Sequence, residues 1–386
     1  MFYFLKRIIY FTLAPFYKKK TLYYVDPSFL GELISLIYIK SLQNKKNITI
    51  IIDPFKILSK KKYINFKIFL LAYSDINGKK FNSIYNFLSY LFYRSVQYNP
   101  KFKSILERGY KHNDPSTFKS LSDYKEKYFD FYENVTNDQL KQLLSKEFIL
   151  FHCRDAEYKK KTYNIDLSYH DYRNEDLNRY ENSLSSFSNE KNLKLIRFGS
   201  KGKEKCKNPA IYDYTFSQLR NETNDIHLMK NCKLYVGTGS GPDTLAINFQ
   251  KPIVFINWVH LPNLFTFQSN VVAIFKKIYN KKEKKFIKFK NLLDLNFKLN
   301  KEETPVGLYF KSQQYQHNDL EVINNSEDEI YYAVKEMLDY LEGKFNFDKE
   351  TQNRFKQIYY QNNKNKINSK FFISDYFIKK NLDLFN

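Results

Sequence analysis

Residues 233–257 read KLYVGTGSGPDTLAINFQKPIVFIN, and the order of residue types in this stretch decides the fold class. Positions 233–236 form a short apolar run, 237–241 a glycine-rich turn, 242–250 a short helix, and 252–257 (PIVFIN) a continuous apolar strand. Apolar runs without polar alternation belong to strands covered on both faces, which is the condition of a parallel sheet. A strand followed by a turn, a helix and a second strand is the repeating unit of such a sheet.

The same alternation extends outward. Positions 148–152 (FILFH) read as a strand, 174–187 as a helix, 193–198 (LKLIRF) as a strand, and 217–231 as a helix. Further upstream, 21–25 (TLYYV), 47–52 (NITIII) and 66–72 (FKIFLLA) are strand-like, with helices over 29–43 and 81–94. The expected architecture is α/β: two Rossmann-like domains whose parallel sheets face a cleft. The N-terminal domain is placed at 1–145, a second α/β domain at 146–320, and C-terminal helices at 321–386. In such sheets ligands bind outside the carboxyl ends of the strands, so the polar residues at strand ends carry the functional question.

The 386 residues are 43% hydrophobic and 18% aromatic, enough for a sizeable core, which excludes a disordered chain. Three cysteines (Cys153, Cys206, Cys232) make no disulfide framework, and no C-x-x-C pair marks a zinc site. A reducing cytoplasm is the expected compartment. The formal net charge is +22, which suits nucleic acid, an anionic membrane or an anionic substrate, but Lys is spread along the whole chain. An AT-rich codon bias toward Lys, Asn, Ile, Phe and Tyr explains that spread without a polyanion, and no nucleic-acid motif is present. The N-terminus, MFYFLKRIIYFTLAPFYKKK, has an apolar run too short to span a bilayer and no signal-peptide cleavage pattern. It suits a helix packed on the first domain, or an interfacial segment on the anionic inner face of a membrane.

Three clusters at strand ends carry chemistry. The first is His152-Cys153-Arg154-Asp155, where a guanidinium can clamp a phosphate through paired N–H···O bonds and Asp155 can hold it or act on a hydroxyl. A structural Arg–Asp pair at the sheet edge is the alternative. The second is Gly237-Thr238-Gly239-Ser240-Gly241-Pro242-Asp243, whose amides and helix dipole suit an anion, although neither the Walker spacing nor G-x-G-x-x-G is matched. A tight strand–helix turn is its plain alternative. The third is Tyr172-Arg173-Asn174 at a helix start, with Asn174 a candidate N-cap. Arg197, Gly199 and Ser200 end another strand, as do Asp213 and Tyr214, and His260 follows the last. No His/Cys/Asp/Glu group has metal-ligand spacing, and no D-x-D or G-x-S-x-G is present. Two strand-end arginines and a glycine turn favour a diphosphate-bearing ligand.

Taken together, these segments resemble a bacterial family of glycosyltransferases. The family's His-x-Arg-Asp-x-x-Tyr motif is matched by His152, Arg154, Asp155 and Tyr158, and its Tyr-Arg-Asn by Tyr172, Arg173 and Asn174. Arg197 and Gly199 match Arg-x-Gly; Tyr212, Asp213, Tyr214 and Ser217 match the next segment. Asp225, Ile226, Leu228 and Cys232 precede the Gly-Thr-x-Ser-Gly turn at 237–241, and Lys251, Pro252 and Asn257 follow it. A late helix over 324–341 completes the order, so the likeness covers roughly 148–260 and 322–343. The His-x-Arg motif is also similar to that of fucosyltransferase-like GT-B enzymes, which implies that Arg154 binds a diphosphate and the turn a phosphate or sugar. The further Gly-Asp of that motif is replaced here by Ala156-Glu157, so the donor sugar does not carry over.

The resemblance implies a GT-B-like glycosyltransferase moving a sugar from a nucleotide-sugar donor to a glycan or lipid-linked acceptor in surface-polysaccharide assembly. No cofactor or metal is expected, and no nucleic-acid partner. Asp155 and Asp243 are the candidate bases; Gly31-Glu32 is a candidate for acceptor contact. A pyruvyl or phosphoryl transferase on a similar scaffold, and a non-catalytic nucleic-acid-binding protein, are the rival readings.

Overall fold

The computed structural model describes residues 2–17, 21–25, 48–55, 82–96, 106–108, 137–155, 168–362 and 367–385. The chain divides into two compact units, Met1–Tyr132 and Glu133–Asn386. The expected 145/146 boundary and residues 321–386 both fall within the second unit.

The first unit holds a parallel sheet of β1 (Thr21–Val25), β2 (Ile48–Ile52) and β3 (Leu106–Arg108), in the order β2-β1-β3. Two helices, α1 (Phe2–Tyr17) and α2 (Ser83–Val96), pack together through stacked rings of Tyr17 and Phe92, 4.9 Å apart, and a 2.7 Å bond between Tyr17 Oη and Ser89 Oγ. Tyr17, Leu22, Ile51, Tyr90, Phe92 and Tyr93 form the core. The Asn86 side chain ties α2 to β2, accepting from Ile52 N at 2.9 Å and donating to Ile52 O at 2.7 Å. The expected strand at 66–72, the helix at 29–43 and Gly31-Glu32 lie outside the described residues.

The second unit is built on a seven-stranded sheet: β4 (Phe148–Phe151), β5 (Lys194–Arg197), β6 (Ile211–Asp213), β7 (Leu234–Gly237), β8 (Ile253–Trp258), β9 (Val271–Phe275) and β13 (Phe371–Ile373). Their order is β13-β9-β8-β7-β4-β5-β6, and every neighbouring pair is parallel. The chain starts in the middle at β4, steps outward through β5 to β6, then returns to the other side of β4 and steps outward again through β7, β8 and β9. The strand order therefore reverses between β4 and β7, and that is where open α/β sheets form their ligand crevice. Strands β4, β7, β8 and β9 are buried at every position, as their unbroken apolar runs require.

The helices differ in detail from the sequence expectation. Tyr172 and Arg173 sit in a short 3-10 segment, Ser168–Arg173, not at the start of an α-helix. The following helix, α4 (Leu177–Leu184), comes after α3 (Asp138–Leu144) and takes Asp176 as its N-cap, with the carboxylate accepting from Asn178 N. Asn174 instead donates its side-chain amide to Asp171. Helix α5 (Glu222–Asn231) starts later than expected, capped by Asn221, and α6 (Gly241–Asn248) follows the glycine turn. Helix α7 (Glu327–Leu341) has the expected Ser326/Glu329 capping box and buries Ile330, Ala333, Val334, Met337 and Leu338 along one face. A small antiparallel sheet of β10 (Lys277–Asn280), β11 (Lys285–Phe286) and β12 (Leu320–Ile323) was not anticipated. Nor was the role of the last residues, where β13 pairs with β9.

Candidate functional site

At the switch point two neighbouring parallel strands end side by side. Phe151 of β4 is paired with Val236 of β7, and His152 N still donates to Val236 O at 2.9 Å. The residues that follow, Arg154 on one strand and 238–241 on the other, therefore leave the same edge of the sheet as neighbours.

The Arg154 side chain is half-buried, and its guanidinium hydrogen-bonds none of the described residues. Its pKa is pulled down to about 9, first by burial and next by the Arg173 guanidinium beside it. Arg173 is also pulled down by burial, and it donates through Nη2 to the Gly239 carbonyl. Arg173 thus binds the glycine turn, and Arg154, with no hydrogen-bond partner among the described residues, lies within its electrostatic reach. At Arg154 burial outweighs the attraction of the Glu175 and Asp171 carboxylates, and a bound anion would relieve part of that cost.

The turn itself is organised from below. Asp243 is fully buried and accepts from Tyr235 Oη at 2.8 Å and from Ser240 N at 2.6 Å. Burial raises its pKa to about 6. The Ser240 amide expected to cradle an anion is therefore spent on Asp243, and the Asp243 amide on Ser240 O. Gly239, at φ +75°, takes a conformation that L side chains rarely adopt, and a Cβ there would lie 3.4 Å from the ring of Trp258. Trp258, the chain's single tryptophan, lies against the turn and donates through Nε1 to His260 O. Thr238 is buried beside it, its hydroxyl without a hydrogen-bond partner among the described residues.

His152 follows directly on β4, two residues ahead of Arg154. Burial lowers its pKa to about 4, so the imidazole is neutral near pH 7. Its Nδ1 lies 3.0 Å from Phe198 O, which can only accept; the proton is therefore assigned to Nδ1 and Nε2 is left as the acceptor. Gly199, at φ +124°, lets the chain pass closely: a Cβ there would fall 2.6 Å from His152 Nδ1.

The remaining residues singled out from sequence are engaged elsewhere. Arg197 is buried, donating to Glu204 O at 2.7 Å and Asp213 Oδ2 at 3.2 Å, with Asp155 Oδ2 at 3.9 Å. Asp155 also accepts from Lys203 N at 3.1 Å and keeps a half-buried edge. Asp213 accepts from Cys206 N and from both Thr215 donors, so it organises the loop after β5. Tyr214 is buried and donates to Asp225 at 2.7 Å. Ser200 accepts from Arg220, which also binds Gly199 O. Tyr172 Oη lies 2.9 Å from His260 Nε2. Tyr158 lies outside the described residues. The site that is brought together is Arg154, Arg173, His152 and the 237–241 turn; Arg197, Asp213 and Tyr214 hold the neighbouring loop.

Sequence reading missed what lies beneath. Glu175 and Lys276 form an ion pair at 3.1 Å, each side chain 1% exposed. Lys276 Nζ also donates to Tyr172 O at 3.0 Å and Asn174 O at 3.2 Å, and Glu175 N donates to Arg154 O at 3.0 Å. Asn257 donates to the other Glu175 oxygen, and it is locked to Asn325 by reciprocal backbone-to-side-chain bonds, Asn257 N to Asn325 Oδ1 at 2.7 Å and Asn325 N to Asn257 Oδ1 at 2.6 Å. Burial raises Glu175 to about 7 and lowers Lys276. A lysine closing the apolar run VVAIF was the available signal.

No group of three or more His, Cys, Asp or Glu side chains among the described residues could hold a metal ion. No family model matches the sequence, and no curated protein matches it. Among solved structures the chain is similar to the glycosyl transferase family 9 from Veillonella parvula DSM 2008: 12% identity, 83% of this chain and 97% of that one, TM-score 0.40. It is similar to the E. coli ADP-heptose LPS heptosyltransferase II at 14% identity over 66% of this chain and 90% of that one, TM-score 0.34. The S. aureus MnaA–UDP structure is a third, at 13% identity over 62% and 79%, TM-score 0.28.

Proposed function

We propose that the chain is a GT-B-type glycosyltransferase taking a nucleotide-sugar donor and a glycan or lipid-linked acceptor, in assembly of a bacterial surface polysaccharide. The observation that carries this reading is the Arg154 guanidinium, half-buried and unpaired among the described residues, beside Arg173 at the switch point. The motif resemblance supports the same placement. In the reaction the acceptor oxygen forms a bond to the anomeric carbon, the bond from that carbon to the diphosphate breaks, and the acceptor proton goes to a base. Arg154 and Arg173 take up the charge developing on the leaving diphosphate, which is the larger part of catalysis in such a step. Of the two carboxylates offered as the base, Asp155 is the one solvent reaches; Asp243 is enclosed under the turn. The donor site is tested by melting shifts with nucleoside diphosphates, nucleotide sugars and phosphoenolpyruvate. A diphosphate-dependent shift that is absent in Arg154→Ala supports the reading. A shift with phosphoenolpyruvate alone sinks it in favour of a pyruvyl transferase.

A further inference from the structure

The first unit carries a surface to which the residues assigned to the donor site do not belong. Nine of the sixteen large apolar side chains exposed among the described residues belong to this unit, although it supplies fewer than fifty of those residues. They sit mostly on the two packed helices. Helix α1 turns Tyr10, Leu13, Ala14 and Tyr17 toward the core and leaves Leu5, Ile8, Phe11 and Phe16 uncovered, the last two 72% and 69% exposed. Positions 5, 8 and 16 fall on one helical stripe, with Phe11 beside it. Helix α2 adds Ile84, 72% exposed, and Leu88. Tyr17 and Tyr85, with ring centroids 6.1 Å apart, bring the end of α1 against the start of α2.

Isolated exposed apolar residues are ordinary, but four large apolar side chains along the side of a helix turned away from its core mark a surface that something covers. Charge indicates what. The first twenty residues contain Lys6, Arg7, Lys18, Lys19 and Lys20 and no acidic residue; Asp26 is the first carboxylate in the chain. At about 1.5 Å per residue, sixteen residues make a helix of roughly 24 Å, and it needs some 20 apolar residues to span a bilayer. No helix among the described residues is long and apolar enough to cross a membrane. A short helix with an apolar stripe and flanking cations lies in the headgroup region.

We propose that α1, with the exposed start of α2, is a docking surface for an anionic lipid bilayer, on which the helix lies in the plane of the interface. The exposed apolar side chains enter the acyl boundary, and the positive charge of the first twenty residues draws the segment to the lipid phosphates. The proposal stands on the first unit and does not depend on the chemistry assigned to the second.

The test is cosedimentation of the full chain at about 0.15 M salt with vesicles of phosphatidylcholine, or of phosphatidylcholine mixed with phosphatidylglycerol. Wild type is expected to pellet with the mixed vesicles and to stay in solution with phosphatidylcholine alone. The double variant Phe11→Glu/Phe16→Glu should lose at least about tenfold in partition. Lys18→Gln/Lys19→Gln/Lys20→Gln should release the protein at this salt. Because Phe11 and Phe16 are exposed, the melting temperature and the response to pyrophosphate should not change. Equal pelleting of wild type and the phenylalanine variant overturns the proposal, as does equal binding to neutral vesicles. A wild-type dimer that the same variant converts to monomer, without lipid binding, also overturns it and makes the face a contact between copies.

Discussion

Glu175 and Lys276 pair at 3.1 Å directly under the segment that carries Arg173, and Lys276 holds that segment through two backbone carbonyls. A buried ion pair is poor evidence of net stability, but removing one partner strands the other. Lys276→Met is therefore expected to destabilise by about 3–5 kcal/mol, and Glu175→Gln/Lys276→Met to recover most of that loss. A double-mutant cycle by urea unfolding measures it, and additive losses in the two single variants would contradict the pairing.

The pH dependence of that pair has a definite sign. Glu175 titrates near 7 in the folded protein against an ordinary value of 4.5. Below 4.5 both states bind the proton, and between 4.5 and 7 only the folded state keeps it. Stability from this group is thus fully present below 4.5 and is lost as pH rises through 7. Asp243 and Asp225, both raised to about 6, and Glu336, raised to about 7, act in the same direction. Melting temperature should fall between pH 5 and pH 7 in wild type, and less steeply in Glu175→Gln. A parallel decline in both proteins would remove Glu175 as a cause.

Arg154 gives the opposite pattern to a structural arginine. Its guanidinium has no hydrogen-bond partner among the described residues, so Arg154→Ala should leave the melting temperature unchanged or raise it. Loss of two charge-assisted hydrogen bonds should weaken diphosphate binding by about 2–4 kcal/mol, roughly 30- to 1000-fold. Arg154→Lys should recover only part, because an ammonium cannot make the paired contact. Thermal melts check the first of these and calorimetric titration with a nucleoside diphosphate the other two; a large drop in stability without loss of binding would show Arg154 to be structural.

Gly239 couples the turn to an optical signal. At φ +75° an alanine costs about 1 kcal/mol or more, a few degrees in melting temperature. Its methyl group would also come into van der Waals contact with the only tryptophan, so Gly239→Ala should shift the emission of Trp258. Ligand binding at the turn should change the same emission in wild type. An unchanged spectrum on saturation with a diphosphate would place the ligand elsewhere.

How much of this was legible in the sequence depended on range. The buried strands at 148–151, 234–237 and 253–258 showed themselves as apolar runs, because burial on both faces leaves no polar alternation to obscure them. The glycine turn showed itself because positive φ restricts residue type. What Arg197 does was not legible: its partners, Glu204 and Asp213, depend on how the loop after β5 folds back. Asp243 looked like an active-site carboxylate because its position after a glycine turn is the same whether it faces solvent or the turn's own amides. Lys276 lies a hundred residues from the carbonyls it binds, and no local pattern announces a contact of that length.

The strand Phe371–Ile373 closes one border of the sheet by pairing with β9. On the ribosome, β9 is made long before its partner, and until then its outer backbone groups have nothing to bond but water or another chain. Nascent protein is therefore exposed to sideways addition of foreign strands while residues 276–370 are being made. A stop codon introduced ahead of Phe371 would make that temporary hazard permanent, yielding inclusion bodies where the longer product dissolves.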